Sequence, residues 1–297
     1  MSFTQELERV AGLVEARLNQ LLAREPAGRP DTTKLAEAMR YAVLGGGKRL
    51  RPFLLIASGG IFGLSEEACL DTAAALECLH CYSLVHDDLP AMDDDSLRRG
   101  RPTAHIAFGE ATAILAGDAL LTFAFEVLSA EPTHPDPAVR IELVSLLARA
   151  GGWRGMAQGQ ALDLAAEGQS FDLAQVAAMQ ALKTGALFQF ACAAGAVLGR
   201  ADNQARAALG SSATALGQAF QLADDLLDAE GDATLLGKAV AKDAGRGKAT
   251  LVGLLGIEAA RVRLDEMVLS AEAALAPFGA RAGMLKQAAR FIAERRA

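Results

Sequence analysis

The amino-acid sequence predicts an all-α protein, and three features support that prediction. Alanine and leucine dominate the 297 residues, and apolar residues recur at helical rather than alternating spacing. No run of β-branched residues is bounded by turn signals. With 52% hydrophobic residues the chain can bury a large core, and we expect a single domain over residues 1–297.

Helix-breaking segments divide the chain into about ten predicted helices. These segments are residues 45–47, 63, 90–102, 131–137, 168–170, 199 and 230–248. Two of them are long and charged, and each directly follows a cluster of aspartates. Long loops inside compact domains are often functional.

Charge and composition exclude several classes of protein. The net charge of −7 and the pI near 5.2 argue against nucleic acid as a partner, because neutralising its phosphates needs a basic face. The N-terminus carries acidic residues early, unlike a signal or transit peptide. Apolar runs such as 53–64 and 186–198 contain glycines and fall short of the roughly 18 residues needed to cross a bilayer. We therefore expect a cytoplasmic protein without stable membrane association.

The cysteines also favour a reducing compartment, because four irregularly spaced thiols are too few for a disulfide scaffold of this size. Cys78 and Cys81 have the C-x2-C spacing of a metal or redox pair. No second pair and no preceding strand accompany them in the sequence. We interpret both as small buried helix residues.

One acidic cluster, at residues 224–228, places two carboxylates on one helix face. At about 100° per residue, Asp224 and Asp228 lie within about 40° of each other. Like charges at this spacing destabilise a helix unless a cation lies between them, and ligands that are all oxygen favour magnesium over zinc. A solvated acidic helix end explains a single cluster equally well, whereas a second cluster favours the metal site.

The other acidic cluster, at residues 87–93, follows a predicted helix. Pro90 should end or bend that helix, so that Asp93 folds back towards Asp87. His80 lies on the helix face that leads up to Asp87. A lone histidine is more often a satisfied core residue than a ligand group, and both interpretations of His80 stay open.

Basic residues gather on the glycine-rich turn 45–52. Lys48 and Arg51 are three residues apart and can face one anion, for which arginine offers a forked donor. A solvated basic turn is the alternative, and the spacing is not that of a Walker loop. Lys183 lies in the otherwise apolar stretch 177–198, where a lysine needs a partner. Glycines in 152–164 indicate either room for a ligand or close helix packing.

Together these segments resemble the trans-type (E-) polyprenyl diphosphate synthase family, and within it most closely the bacterial farnesyl diphosphate synthases. The matching segments run in family order at residues 46–52, 83–93, 98–100, 155–163, 183–185 and 220–228. The resemblance implies a barrel of antiparallel helices around a deep central cavity, usually in a homodimer. It implies a prenyltransferase that condenses isopentenyl diphosphate with dimethylallyl or geranyl diphosphate to give farnesyl diphosphate.

The resemblance also implies roles for individual residues. The diphosphate of isopentenyl diphosphate would be held by Lys48, Arg51, His80 and Arg99. Three magnesium ions on the allylic diphosphate would be ligated by Asp87, Asp93 and Asp224. That diphosphate would be gripped further by Arg98, Lys183, Lys238 and Lys248. The carbocation formed by ionisation would be stabilised by Thr184, Gln221 and the carbonyl of Lys183.

Product length depends in the family on bulk just before the first acidic motif, where Tyr82 precedes Asp87 by five positions. An aromatic residue there resembles enzymes that stop at fifteen carbons. Tyr82 lies about 140° around the helix from Asp87, so the family pattern and not helical geometry supports this role.

Three alternatives remain. A geranylgeranyl diphosphate synthase is the nearest. A non-catalytic partner subunit would usually lack one acidic cluster, and this chain has both. A class I terpene cyclase shares the ionisation step but needs no second diphosphate site.

Overall fold

The computed structural model describes residues 2–23, 34–230 and 250–294, and in these ranges the chain is almost entirely helical. The prediction of an all-α protein is confirmed. The chain divides into two compact units, of which the first comprises Met1–Ile56 and Leu64–Val144 and the second Ala57–Gly63 and Ser145–Ala297. The expectation of a single domain stays a prediction.

The first unit is organised around one buried helix. Its helices are α1 (Phe3–Leu22), α2 (Leu35–Val43), most of α3 (Leu50–Ile61), α4 (Glu67–Asp87), α5 (Ala104–Phe108), α6 (Glu110–Ser129) and the start of α7 (Pro137–Gly151), with a 3-10 turn at Glu131–Thr133. Every residue of α4 from 69 to 79 is buried, because the helix carries small or apolar residues on nearly all faces. It packs mainly against α6.

The second unit contains the remaining helices. They are α8 (Met156–Ala165), α9 (Leu173–Gln180), α10 (Ala186–Leu198), α11 (Asn203–Glu230), α12 (Leu251–Leu255), α13 (Ile257–Ala274) and α14 (Gly283–Glu294). A π-helical turn, Ala181–Gly185, joins α9 to α10, and a 3-10 segment, Ala276–Ala282, precedes α14. The 28-residue helix α11 packs against α10, α13 and the π turn.

Helix boundaries follow the predicted breakers, and two local features differ. A hairpin of two-residue strands, β1 (Leu97–Arg98) and β2 (Arg101–Pro102), lies where the sequence predicts no strand. Its turn residues Arg99 and Gly100 have φ of 53° and 73°, as two-residue hairpin turns require. The π turn interrupts the stretch 177–198, where the sequence predicts one continuous helix.

Two helical stretches are long and apolar enough to cross a membrane by length and composition alone. Glu110–Ser129 and Leu173–Leu198 have mean hydropathies of 1.6 and 1.4. Of the two runs named in the prediction, 53–64 lies mostly in the short helix Leu50–Ile61 and agrees with it, whereas 186–198 continues through Lys183 back to Leu173 and does not. A buried core helix passes the same test, and 67% of the second stretch is buried. The finding is therefore weak evidence for a membrane span.

All four cysteines are buried free thiols. Burial raises the pKa of Cys69 and of Cys81 to about 12, and that of Cys192 to about 11. Thiols held protonated in apolar surroundings are unreactive. The interpretation of Cys78 and Cys81 as buried helix residues is confirmed.

Candidate active site

The acidic cluster of the first unit lies where α4 ends. The helix stops at Asp87, and the turn that contains Pro90 brings the backbone N–H of Asp93 within 2.8 Å of the carbonyl oxygen of Asp87. The predicted return of Asp93 towards Asp87 is confirmed. Both residues are partly exposed, so a ligand can approach them from solvent.

Asp88 differs from its neighbours because it is buried. Arg98 donates from Nε and Nη2 to Asp88 Oδ1, at 2.8 and 2.6 Å. Burial raises the pKa of Asp88 above its ordinary value, and the charge of Arg98 opposes that rise. The pair ties the hairpin to the end of α4, and it places Arg98 beside the acidic cluster.

Arg99 ties the same hairpin to the glycine-rich turn. Its guanidinium donates to the carbonyl oxygen of Gly46 and lies against Gly47. The backbone φ of residue 47 is +125°, a conformation that favours glycine. A Cβ atom there would stand 2.6 Å from the Arg99 guanidinium, so any other residue would also displace that side chain. Lys48 follows in the turn and is exposed.

Arg51 faces His80 across the same region. Arg51 Nη1 lies 3.4 Å from His80 Nε2, and because arginine only donates, the imidazole accepts there and is neutral. Burial, followed by the charges of Arg51 and Arg99, holds the pKa of His80 well below its ordinary value. We call Lys48, Arg51, His80 and Arg99 the basic cradle. The structure therefore places His80 next to Arg51, a residue that is predicted to bind a diphosphate.

Tyr82 packs against His86, which in turn lies against Gly117. The Tyr82 and His86 rings meet edge to face, with centroids 5.6 Å apart. His86 Nε2 lies 3.0 Å from the carbonyl oxygen of Ile114. A Cβ atom on Gly117 would come within 2.2 Å of the same His86 nitrogen. Gly117 thus makes room for His86, and His86 supports Tyr82.

In the second unit, Lys183 lies in the π turn and pairs with a buried acid. Its Nζ donates to Asp163 Oδ2 at 2.8 Å. A Cβ atom on Gly159 would be 2.1 Å from the backbone nitrogen of Lys183, so the glycine lets α8 approach the turn closely. Lys183 has the partner that the sequence requires, and at Gly159 the glycine-rich segment serves close helix packing.

Thr184 and Gln221 belong to a chain of hydrogen bonds. Thr184 Oγ1 donates to Gln221 Oε1 at 2.8 Å, and Gln221 Nε2 donates to Asp225 Oδ1 at 3.0 Å. Gln180 Nε2 donates to the other oxygen of Asp225, also at 3.0 Å. We call these four residues the amide network. It fixes the direction in which the Gln221 amide points.

Helix α11 divides its aspartates between two environments. Asp225 is buried, whereas Asp224 and Asp228 are partly exposed, in agreement with a shared face for the latter two. Asp87, Asp93 and Asp224 thus offer the carboxylate oxygens that magnesium prefers.

No three His, Cys, Asp or Glu side chains form a ready-made metal site within the described ranges. Magnesium usually keeps several waters and takes one or two carboxylates together with substrate phosphates. Asp87 and Asp93 in the first unit therefore suit an ion that is bound jointly with a diphosphate, and Asp224 in the second unit offers the same kind of ligand.

Lys238 and Lys248 lie in residues 231–249, outside the described part of the chain. Residues outside the predicted site also contribute contacts to it, and Asp163 and Gln180 are two examples. Asp163 could have been found as an acid available to a lysine that needs a partner. Gln180 carries no signal in the sequence, because a π turn sets its direction.

Comparison with known proteins gives consistent matches. The Polyprenyl synthetase family model matches residues 32–276. The farnesyl diphosphate synthase of Escherichia coli is 46% identical over 277 residues, which are 93% of this chain and 92% of that protein.

Solved structures agree with these matches. An FPP/GFPP synthase from Zymomonas mobilis superposes with a TM-score of 0.88 at 46% identity, covering 98% of each chain. A geranyltransferase from Legionella pneumophila superposes with a TM-score of 0.86 at 33% identity, covering 99% of this chain and 96% of that one.

Proposed function

Because this chain belongs to the polyprenyl synthetase family, we propose that it is a farnesyl diphosphate synthase, which condenses isopentenyl diphosphate with dimethylallyl and geranyl diphosphates. The proposal rests on similarity to a farnesyl diphosphate synthase over 93% of the chain. Both acidic clusters, the basic cradle and the π turn support it, because each offers groups that the reaction needs.

We propose that Asp87, Asp93 and Asp224 hold magnesium, three ions in all, on the allylic diphosphate. Magnesium bound there would offset the negative charge that develops as the allylic carbon–oxygen bond breaks. Arg98 and Lys183 would add positive charge to the same diphosphate, and we assign Lys238 and Lys248 the same role. Substitution of either Asp87 or Asp224 by alanine should lower kcat by on the order of 10³-fold.

The π turn suits the cation that ionisation leaves behind. Thr184, Gln221 and the Lys183 carbonyl offer oxygens whose positions are set by the amide network and by the salt bridge to Asp163. Preorganised oxygens stabilise a developing charge without having to reorient. We assign these three groups to stabilisation of the allylic cation.

The basic cradle suits the second substrate. Lys48, Arg51 and Arg99 carry the positive charge that a diphosphate requires, and His80 adds a ring nitrogen beside Arg51. Isopentenyl diphosphate held there attacks the cation, a carbon–carbon bond forms, and the departing diphosphate takes the released proton. This route needs no general base from the protein.

Tyr82 is the proposed determinant of product length. Its ring is held by His86 and, through it, by Gly117, so bulk at this point is fixed in place. Tyr82→Ala should lengthen the product beyond fifteen carbons, and an unchanged product would exclude Tyr82 from this role. A twenty-carbon product from the unmodified protein would make it a geranylgeranyl diphosphate synthase instead.

We further propose a cytoplasmic homodimer without stable membrane association. Ile114 and Leu115 on α6 are 43% and 56% exposed, and exposed apolar residues side by side often mark an association surface. Light scattering should give twice the 30.9 kDa mass of one chain. A monomer mass at micromolar concentration would contradict the dimer.

The central experiment is a product assay. Purified protein incubated with magnesium, isopentenyl diphosphate and geranyl diphosphate should form farnesyl diphosphate, identified by chromatography after dephosphorylation. Omission of magnesium should abolish the reaction. Absence of any prenyl product in the complete mixture would refute the proposed function.

A further inference from the structure

Arg49 stands between two residues of the glycine-rich turn that the proposed function uses, and it behaves differently from both. Lys48 is exposed and Arg51 partly exposed, whereas the side chain of Arg49 is 0% exposed. A ligand can therefore reach Lys48 and Arg51, but it cannot reach Arg49.

The guanidinium of Arg49 is held at three points. Nη1 donates to Glu77 Oε1 at 2.5 Å, and Nη2 donates to the carbonyl oxygen of Val43 at 2.5 Å and to Glu15 Oε1 at 3.1 Å. Glu77 is itself buried, at 3% side-chain exposure. The charge of Arg49 is neutralised inside the protein and is not available to a diphosphate.

The backbone of Arg49 is also constrained. Its φ is +49°, a left-handed conformation that a residue with a Cβ rarely adopts without tertiary support. Its carbonyl oxygen accepts the hydrogen bond from the Phe53 N–H, so the residue caps the start of α3. The side-chain contacts therefore fix the point at which the turn becomes a helix.

Two contacts connect this point to α4. Arg49 meets Glu77 and Arg51 meets His80, and Glu77 and His80 are three residues apart on the same helix. Residues at this spacing lie one above the other on a helix face. The Arg49–Glu77 contact thus sets the position of α3 along α4 and its rotation, and these determine whether Arg51 can reach His80.

We propose that Arg49 and Glu77 are positioning residues, which align Lys48 and Arg51 with His80 for binding of the isopentenyl diphosphate. The proposal rests on the proposed function of the basic cradle. It predicts that the pair controls KM for this substrate and leaves the bond-breaking step on the allylic diphosphate unaffected.

The test compares two double variants. Arg49→Met with Glu77→Gln removes both charges of the pair, which avoids leaving one of them buried alone. Arg17→Met with Asp71→Asn removes another ion pair of α4, in which Arg17 Nε lies 2.6 Å from Asp71 Oδ1. Circular dichroism and thermal melts show whether each variant folds.

The Arg49/Glu77 variant should raise KM for isopentenyl diphosphate by about tenfold or more, with kcat and KM for geranyl diphosphate changed less than about threefold. The Arg17/Asp71 variant should leave all three constants near those of the unmodified protein. An unchanged KM in the folded first variant, or an equal rise in the second, would overturn the proposal.

If the Arg49/Glu77 double variant does not fold, the conservative variant Arg49→Lys tests the proposal instead. Arg49→Lys keeps a charge for Glu77 but cannot make all three contacts of the guanidinium. It should raise KM for isopentenyl diphosphate with kcat retained, and a loss of kcat with KM retained would overturn the proposal. Calorimetric binding of isopentenyl diphosphate to the unmodified protein separates this outcome from failure of the proposed function, because it does not depend on product formation.

Discussion

The basic cradle of the first unit and the amide network of the second handle charge in different ways. In the cradle, burial and then the nearby charges of Arg51 and Arg99 lower the pKa of His80, and a bound anion would relieve that concentration of positive charge. In the network, Thr184, Gln221 and Gln180 are already joined to one another or to Asp225 before any ligand binds. The cradle suits a charge that is permanent, and the network suits one that appears only during reaction.

This difference predicts a kinetic division. Contacts made equally in ground state and transition state affect KM, whereas contacts that strengthen only in the transition state affect kcat. Substitutions in the cradle should therefore act mainly on KM for isopentenyl diphosphate. Substitutions around the π turn should act mainly on kcat.

The largest effect is expected for Lys183→Ala, which removes a cation from the π turn. We expect kcat to fall by on the order of 10³-fold, with KM for isopentenyl diphosphate little changed. Because the substitution also leaves Asp163 buried without its lysine, Lys183→Met with Asp163→Asn serves as the control for folding. A rise in KM for isopentenyl diphosphate without a fall in kcat would contradict the proposed difference between the π turn and the basic cradle.

Arg51→Ala should give the converse result. Loss of a charged donor to a diphosphate should raise KM for isopentenyl diphosphate by about a hundredfold, with a much smaller effect on kcat. Arg101→Ala is the control, since this arginine of the hairpin 97–102 lies outside the basic cradle and stacks on Tyr41 at 4.2 Å. Similar KM values for the two variants would exclude a special role for Arg51.

Thr184→Val should have a smaller effect, because it removes one neutral hydrogen bond and keeps the shape of the side chain. We expect kcat to fall by roughly tenfold, the equivalent of about one hydrogen bond. Steady-state kinetics with geranyl diphosphate would measure this. An unchanged kcat would mean that Asp225 alone orients Gln221.

The smallest effect concerns pH and His80. Because its pKa is lowered in the folded protein, the unfolded chain takes up a proton below about pH 6.5 that the folded protein does not. The contribution of His80 to stability is therefore full above that pH and is lost as the pH falls, by about 1.4 kcal/mol per pH unit at most. Urea unfolding at pH 7.5 and 5.5 should show less acid loss for His80→Gln than for the unmodified protein. An equal loss of stability in the two proteins would contradict a lowered pKa for His80.

The sequence predicted the helical class and most helix boundaries, because glycines, prolines and apolar spacing act locally. It also predicted the return of Asp93 to Asp87, since Pro90 ends α4. It missed the hairpin 97–102, where two-residue strands leave no alternating pattern. It missed the π turn, because no local pattern distinguishes residues 181–185 from an α-helix, whereas in the structure this segment packs closely on Gly159 and Gly217.

The individual contacts of the site were harder to predict than its members. Spacing predicted that Lys48 and Arg51 can face one anion and left the role of His80 open, but nothing in the sequence distinguishes Arg49 from its neighbours. Its burial depends on Glu77, 28 positions away. Contacts of this kind are set by tertiary packing, which a local pattern does not contain.

The hairpin turn at residue 99 shows a conflict between stability and activity. Two-residue turns with both central residues at positive φ favour Asn-Gly, and here Arg99 occupies the first position at φ 53°. For the stability of the hairpin alone, asparagine would suit this position better than arginine. Because we assign Arg99 to the basic cradle, we expect Arg99→Asn to raise the stability of the protein and to weaken its binding of isopentenyl diphosphate.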